Sequence, residues 1–339
     1  MQIDLFDFDL PESHIAQTAI SNRDHSKLMV VNKKKNSVSH ERFYSIGDFL
    51  DANSVLVLNN SKVFNARLIG TKHTKARIEI FLTEQLNDTT WKCLIKPLKR
   101  VAVGDTLVFS SELKGTITNK DHFSTISFDF SGNFFDIIDS IGFPPLPPYI
   151  KVKDPKSFQD SYQTTFASQT GSIAAPTAGL HFTTKLLDEL RAKGVIIEMI
   201  TLHVGYGTFQ PVRVDNIKDH HLHEEQFSID TSTAKRLTDY KKQGKKIVSV
   251  GTTSTRALES AVCENAKIKS GLQSSSLFIY PGYSFKFIDA MITNFHLPKS
   301  SLFMLVCALG GIPLLQQAYK EAIEKNYRFY SLGDAMLIT

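Results

Sequence analysis

Cysteine is scarce in this chain. Three residues in 339 are cysteine, Cys93, Cys263 and Cys307, and none forms a C-x-x-C pair. That excludes a disulfide framework, argues against a structural zinc site and points to a reducing compartment. Long apolar runs are lacking too. No stretch reaches the roughly 18 residues of a membrane span. The longest candidate, SLFMLVCALGGIP, stops at Gly310-Gly311. The amino end, MQIDLFDFDLPE, is acidic and lacks a signal-peptide pattern. Neither sign of charge is in excess: 39 Lys and Arg against 34 Asp and Glu leave +5. Such a balance is compatible with a nucleic-acid partner without requiring one. A soluble, cytoplasmic protein is expected, and its length predicts two domains.

What is present changes character along the chain. The segment SVLVLNNSKVFNARLIG reads as a strand, a polar turn and a second strand. From about residue 63 to 147 the pattern is all-β: ARLIGTK, ARIEIFLT, TWKCLIK, TLVFS and STISFDF alternate or carry β-branched and aromatic residues, with turn chemistry between them. Closely spaced short strands predict a small barrel. The proline-rich run GFPPLPPYI (142–150) then marks a boundary. Beyond residue 160 strands and helices alternate. TTKLLDELRAKG carries Leu186, Leu187 and Leu190 on one face, a Thr before it and Gly194 after it. VIIEMITLHV, KIVSVGTT, LFIYPG and AMITNF read as strands; STAKRLTDYKKQG, STRALESAVCENA and IPLLQQAYKEAIEKN read as helices. The predicted fold is an α/β main domain, discontinuous over residues 1–62 and 148–339, with a mostly parallel sheet and flanking helices. A small antiparallel β-barrel domain, residues 63–147, is inserted into it.

In such sheets ligands bind beyond the carboxyl ends of parallel strands. Four unusual loops fall there or nearby: APTAGLHF, HVGYGTFQPVR, GTTSTR and TNFHLPKSS. They supply His181, His203 and His296, glycines with little bulk, and the hydroxyls of Thr252, Thr253, Ser254 and Thr255. Imidazole titrates near neutral pH and suits proton transfer. GTTSTRALE leads into a helix, so its free N–H groups suit a carboxylate or phosphate, with Arg256 adding a fixed charge; simple N-capping is the alternative. HHLHEEQF (220–227) lacks H-E-x-x-H spacing and has no cysteine nearby, so a polar loop is favoured over a metal site. Gly205-x-Gly207 lacks the third glycine of a dinucleotide loop. The lysines of 235–246 and 92–100 read first as solvated faces, with phosphate contact the sharper alternative.

Taken together, APTAGLHF, TLHVGYGTFQPVR, HHLHEE, VGTTSTRALES, PGYSFKFIDAMITNFHLPKSSL and YRFYSLGDAML resemble the S-adenosylmethionine:tRNA ribosyltransferase-isomerase family of queuosine biosynthesis. The likeness runs from FDFDLPESHIAQ and RDHSKL through PLPPYI and YQTTFA to the carboxyl end, and is weakest in the β-rich insertion. NNSKVFNARL departs from the family's usual NDTRV-PARL stretch. The resemblance implies a discontinuous α/β domain with an inserted barrel. It also implies transfer of the ribosyl part of S-adenosylmethionine to a 7-aminomethyl-7-deazaguanine at the tRNA wobble position. Epoxyqueuosine forms, and adenine and methionine leave. S-adenosylmethionine is then the co-substrate, with no further cofactor or metal expected. Precursor-bearing tRNA is the partner, and a monomer is expected. On this reading His181 or His203 is the base and His296 supports substrate or leaving group. Arg256 with the hydroxyls of Thr252, Thr253, Ser254 and Thr255 holds the methionine carboxylate, Asp289 its ammonium. Phe182, Tyr206 and Phe295 wall the adenine or stack on the modified base. The competing functions are a non-catalytic tRNA-binding module and a metal-dependent hydrolase built on the histidine-rich loop.

Overall fold

A computed structural model describes residues 1–147, 149–151, 154–206, 212, 214–220, 222 and 224–339. Its main element is a nine-stranded sheet. From one edge to the other run Gly271–Ser275, Glu225–Ile229, Ile196–Leu202, Ser54–Asn59, Lys246–Val250, Ala290–Asn294, Ala335–Ile338, Lys27–Asn32 and Ser37–Arg42. Ile196–Leu202 through Ala290–Asn294 form a parallel block. Four antiparallel pairs and one parallel pair, Lys27–Asn32 on Ala335–Ile338, extend it on the two sides, so the sheet as a whole is mixed. The first 60 residues supply three of its strands, as their shortage of residues for a separate core predicts.

Burial explains why the central strands read as unbroken apolar runs. In Ser54–Asn59, Val55 and Val57 face one core with Ile200, Leu202, Ile247 and Met291. Leu56 and Leu58 face the other with Val248, Val250 and Ile292. Both faces are covered, as parallel strands require. The Gly251–Ala261, Ser301–Gly310 and Ile312–Glu324 helices cover the first face through Ala257, Leu258, Val306 and Tyr319. The Thr184–Ala192 helix covers the second through Leu186, Leu187 and Leu190. Each fully buried leucine contributes about 2 kcal/mol by leaving water. Thr183 caps that helix: its Oγ1 accepts from Leu186 N at 3.1 Å. No single helix among the described residues is long and apolar enough to cross a membrane.

The β-rich segment closes into a barrel of strands ordered Ser124–Phe130, Thr90–Lys96, Arg77–Gln85, Arg67–Thr71, Thr106–Val108 and Leu113–Asn119. Its neighbouring strands pair antiparallel. Two features depart from the sequence expectation. Leu113–Asn119 is a strand the alternation did not announce, because Gly115 holds an inward position, where a Cβ would meet Ile126 Cδ1 at 2.7 Å. The segment also ends in a helix, Phe134–Ile141, whose Asn133 cap accepts from Phe135 N and Asp136 N. Elsewhere the strand expected at LFIYPG lies earlier, at Gly271–Ser275. GTTST, expected as a loop, is the first turn of the Gly251–Ala261 helix.

Candidate active site

Val250 ends a central parallel strand and Gly251 turns the chain into a helix with φ +87°. Glycine is required at such a left-handed strand-to-helix turn. No side chain caps this helix, so the N-capping alternative does not hold. Its first residues, Gly251, Thr252 and Thr253, line a narrow pocket of about 60 Å³ together with Asn294, His296 and Tyr330. The small residues Ala174 to Ala178 form another wall. Thr253 Oγ1 is buried and has no hydrogen-bond partner. A helix N-terminus with an unpartnered hydroxyl suits a carboxylate. The described lining holds no Asp, Glu, Lys or Arg.

A second, wider cleft of about 980 Å³ adjoins this pocket, Val204 lining both. One wall comes from the barrel, including Glu84, Asp88, Trp91, Lys92 and Phe123. The other comes from the sheet end, including Gly171, His203, Tyr206, Glu224 and Glu225. Tyr206 sits edge-on to Phe81 and Phe123 of the barrel. The His203 ring lies over Gly171, where a Cβ would come within 2.9 Å of it. His203 Nδ1 is buried without a partner. Desolvation lowers its pKa below the usual 6.5, so the ring is neutral at pH 7 and has a free nitrogen.

The histidines expected as one constellation occupy different places. His181 does not line the pocket. It is 5 % exposed, tilted on Phe43 at 4.9 Å, with Nδ1 2.8 Å from Ser26 Oγ and Nε2 3.1 Å from Asn294 Nδ2. Thr177 Oγ1 donates to Asn294 Oδ1 at 3.0 Å. The amide N–H therefore points at His181 Nε2, which accepts it, leaving the ring proton on Nδ1 for Ser26. Burial pushes the His181 pKa down to about 4. Both nitrogens are engaged, so His181 orients the pocket residue Asn294 and is not placed as the base. His296 does line the pocket. Its Nε2 lies 3.0 Å from Thr293 Oγ1, and burial lowers its pKa to about 3.

Other expected residues are displaced in instructive ways. Arg256 does not face the pocket. It pairs with the buried Glu225 carboxylate and donates to Leu277 O at 3.1 Å and Ser275 O at 3.4 Å. Glu225 Oε1 also accepts from Gly205 N at 3.3 Å. The guanidinium thus ties the helix to the loop carrying His203 and Tyr206. Asp289 lies at the opposite end of the sheet, before the Ala290–Asn294 strand. Its carboxylate holds Lys241 Nζ at 2.8 Å and accepts from Ile247 N at 2.8 Å. A five-residue strand separates it from the pocket by roughly 15 Å, so it does not reach a bound ammonium. Phe182 and Phe295 are fully buried core residues, packed on Phe43 and on Tyr319 respectively. Ser254 is buried too, its Oγ unpartnered, and does not line the pocket. Thr255 is spent on Ser249 Oγ at 2.7 Å and Gly251 O at 3.2 Å. The pocket residues Tyr162, Asn294, Tyr330 and Ser331 were not among the expected site residues. Gly207, His221, His223 and parts of the GTFQPVR and PLPPYI motifs lie outside the described residues. Among the described residues no group of His, Cys, Asp and Glu is arranged to hold a metal.

Comparison with known proteins points to one family. A family model for queuosine biosynthesis proteins matches residues 3–338. The chain belongs to that family. Two relatives named S-adenosylmethionine:tRNA ribosyltransferase-isomerase, from Halothermothrix orenii and Desulfitobacterium hafniense, are each 45% identical over 344 aligned positions. The alignments cover 100% of this chain and 100% of each relative. The crystal structure of S-adenosylmethionine tRNA ribosyltransferase from Thermotoga maritima is 34% identical, with a TM-score of 0.56, covering 99% of this chain and 100% of that one.

Proposed function

We propose that this chain is an S-adenosylmethionine:tRNA ribosyltransferase-isomerase, a transferase acting in the cytoplasm on tRNA. It moves the ribosyl part of S-adenosylmethionine onto the aminomethyl group of a 7-aminomethyl-7-deazaguanine at the wobble position. Epoxyqueuosine forms, and adenine and methionine leave. The observation that carries this reading is the pair of adjoining compartments: a pocket with no charged side chain in its described lining at an uncapped helix N-terminus, next to a cleft holding a neutral histidine with a free nitrogen.

The chemistry sorts onto these compartments. The sulfonium acidifies the ribose C5′ hydrogens, and a base removes one to give a carbanion stabilised by the adjacent positive sulfur. Adenine departs, and the tRNA amine attacks the opened sugar. In this reading His203 is the base, because it lines the cleft with Nδ1 unpartnered, whereas both His181 nitrogens are engaged and His296 lies in the pocket with Nε2 on Thr293. The helix N-terminus with Thr252 and Thr253 holds the methionine carboxylate. His296 and Asn294 border the same ligand, and His181 sets the Asn294 amide. Apolar walls exclude the water that would intercept the intermediates. The modified base enters the cleft from a splayed anticodon loop, with Tyr206 at its wall; single-stranded loops are the usual targets of sequence-specific RNA recognition. The inserted barrel, residues 63–147 between 1–62 and 148–339, grips the tRNA.

The test is release of free adenine from S-adenosylmethionine, dependent on tRNA carrying the aminomethyl precursor. A methyltransferase would release S-adenosylhomocysteine instead. A tRNA-binding module would bind without forming adenine. A hydrolase of the histidine-rich loop would carry stoichiometric zinc or iron. Any of these three results overturns the reading.

A further inference from the structure

The motif YRFYSLGDAML reaches the pocket in a way its sequence does not reveal. Tyr330 has φ +75°, a left-handed conformation that a bulky side chain rarely adopts. The surrounding turn enforces it. Tyr330 N donates to Phe295 O at 2.9 Å and Gly333 N to Tyr330 O at 3.0 Å. Arg328 N and Lys27 N both donate to the Asp334 carboxylate at 2.8 Å. Non-glycine residues held this way concentrate at ligand sites, and glycine or asparagine would relax the backbone here. The chain has tyrosine instead. Tyr330 lines the pocket, while the Tyr149 ring packs against its ring at 4.0 Å without Tyr149 lining the pocket itself. Burial pushes the Tyr330 pKa up to about 12, so the ring is a neutral phenol.

The charge inventory gives that ring a task. The ligand proposed for this pocket carries a sulfonium cation, yet no carboxylate side chain belongs to the described lining. Asp289, the carboxylate expected to hold a cation, lies at the far end of the sheet. An aromatic face attracts a desolvated cation through its quadrupole. We infer that Tyr330 is a substrate-contacting residue whose ring face holds the sulfonium-bearing centre of the co-substrate in place of a carboxylate. A carboxylate beside the sulfonium would neutralise the charge that acidifies the C5′ hydrogens, whereas a π face holds the cation and leaves its charge intact. The inference rests on the proposed reading of the pocket.

Calorimetric binding of S-adenosylmethionine and of its neutral thioether counterpart, S-adenosylhomocysteine, tests it. Tyr330→Phe keeps the ring and both affinities within twofold. Tyr330→Leu removes the ring face and weakens S-adenosylmethionine by about tenfold, and the thioether by less than about threefold. Tyr330→Asn, suited to the positive φ, gives the same selective loss and secures the comparison if the leucine variant folds poorly. Equal losses for both ligands overturn the inference, since the ring then only fills space. Thr253→Val separates this inference from the reading beneath it. If Thr253→Val weakens S-adenosylmethionine and the ring-deleted variants do not, Tyr330 is not the cation's partner and the pocket reading stands. If neither change moves either ligand, both fail.

Discussion

The pocket and the cleft share Val204 and little else. The pocket is small, with no formally charged side chain in its described lining. Its polarity comes from helix N–H groups, hydroxyls, an amide and a neutral imidazole. The cleft is more than ten times larger and carries Glu84, Asp88, Lys92, Glu224 and Glu225. Lys92 is paired with Glu84 at 2.8 Å and Glu225 with Arg256. The difference separates two tasks. A dry, uncharged enclosure keeps a polarised small ligand from water, where fixed dipoles act most strongly. On the proposed reading, a wide, acidic opening between barrel and sheet admits a base that projects from a large partner and bears a primary amine.

The sharpest way to break this division is to remove the group at its boundary. His203→Gln is expected to cut turnover by about 10²–10⁴-fold, the range for loss of a positioned general base, while binding of S-adenosylmethionine changes less than about threefold. A proportional loss of binding would place His203 in the pocket's work instead. Next in size is the seam. Arg256 and Glu225 side chains are 7% and 5% exposed, so Arg256→Met takes the guanidinium from a buried carboxylate and is expected to cost about 3–5 kcal/mol in urea unfolding. Adding Glu225→Gln should recover part of that loss, as coupled partners do. Additive losses would show that the pair does not bind the helix to the His203 loop.

Much of this was legible in the sequence because central strands and helices announce themselves by apolar runs and bounding turns. The Thr184–Ala192 and Ile312–Glu324 helices and the five-residue strands before Gly251 and Phe295 fall where those signals put them. The Phe134–Ile141 helix was obscured by its β neighbours, although Asn133 followed by Phe134, Ile137 and Ile138 is a cap with a helical stripe. Thr252, Thr253 and His296, singled out by residue type, line the pocket, and His203 lines the cleft. Asp289 was misplaced because proximity to a strand was taken without its direction: a residue before a parallel strand lies at the end away from the ligand. Tyr162, Tyr330 and Ser331 converge from distant segments, and a positive φ at a tyrosine leaves no mark on the sequence. Arg256 was assigned by its charge, but a buried partner 31 positions away had already claimed it.

Smaller effects probe the pocket's neutrality. Thr253→Val deletes a buried hydroxyl that has no hydrogen-bond partner. It is expected to leave stability unchanged or slightly higher, while raising the KM for S-adenosylmethionine by about tenfold. A drop in stability would mean the hydroxyl is already bonded within the protein. Protonation is the other probe. His181 and His296 are held neutral, with folded pKa values of about 4 and about 3 against 6.5 when unperturbed. Below pH 6.5 the unfolded chain takes up protons that the folded chain refuses. Stability is therefore full above that pH and falls toward pH 4 and below, by up to about 1.4 kcal/mol per pH unit for each histidine. His181→Gln should flatten that acid limb in urea titrations run from pH 7 to pH 5.

Asp289 supplies the smallest expected effect and the cleanest control. Its carboxylate is 40% exposed, holds Lys241 and caps Ile247 N at the sheet end opposite the pocket. A partly exposed pair of this kind is worth about 1 kcal/mol or less. Asp289→Asn keeps a side-chain oxygen for the Ile247 amide and should lower stability by no more than that. The KM for S-adenosylmethionine should stay within about twofold of the parent value. A large rise in KM without loss of fold would bring Asp289 back to the ligand, against its place in the sheet. An unchanged KM leaves the cation without a carboxylate from that quarter, which is the condition under which an aromatic face becomes its partner.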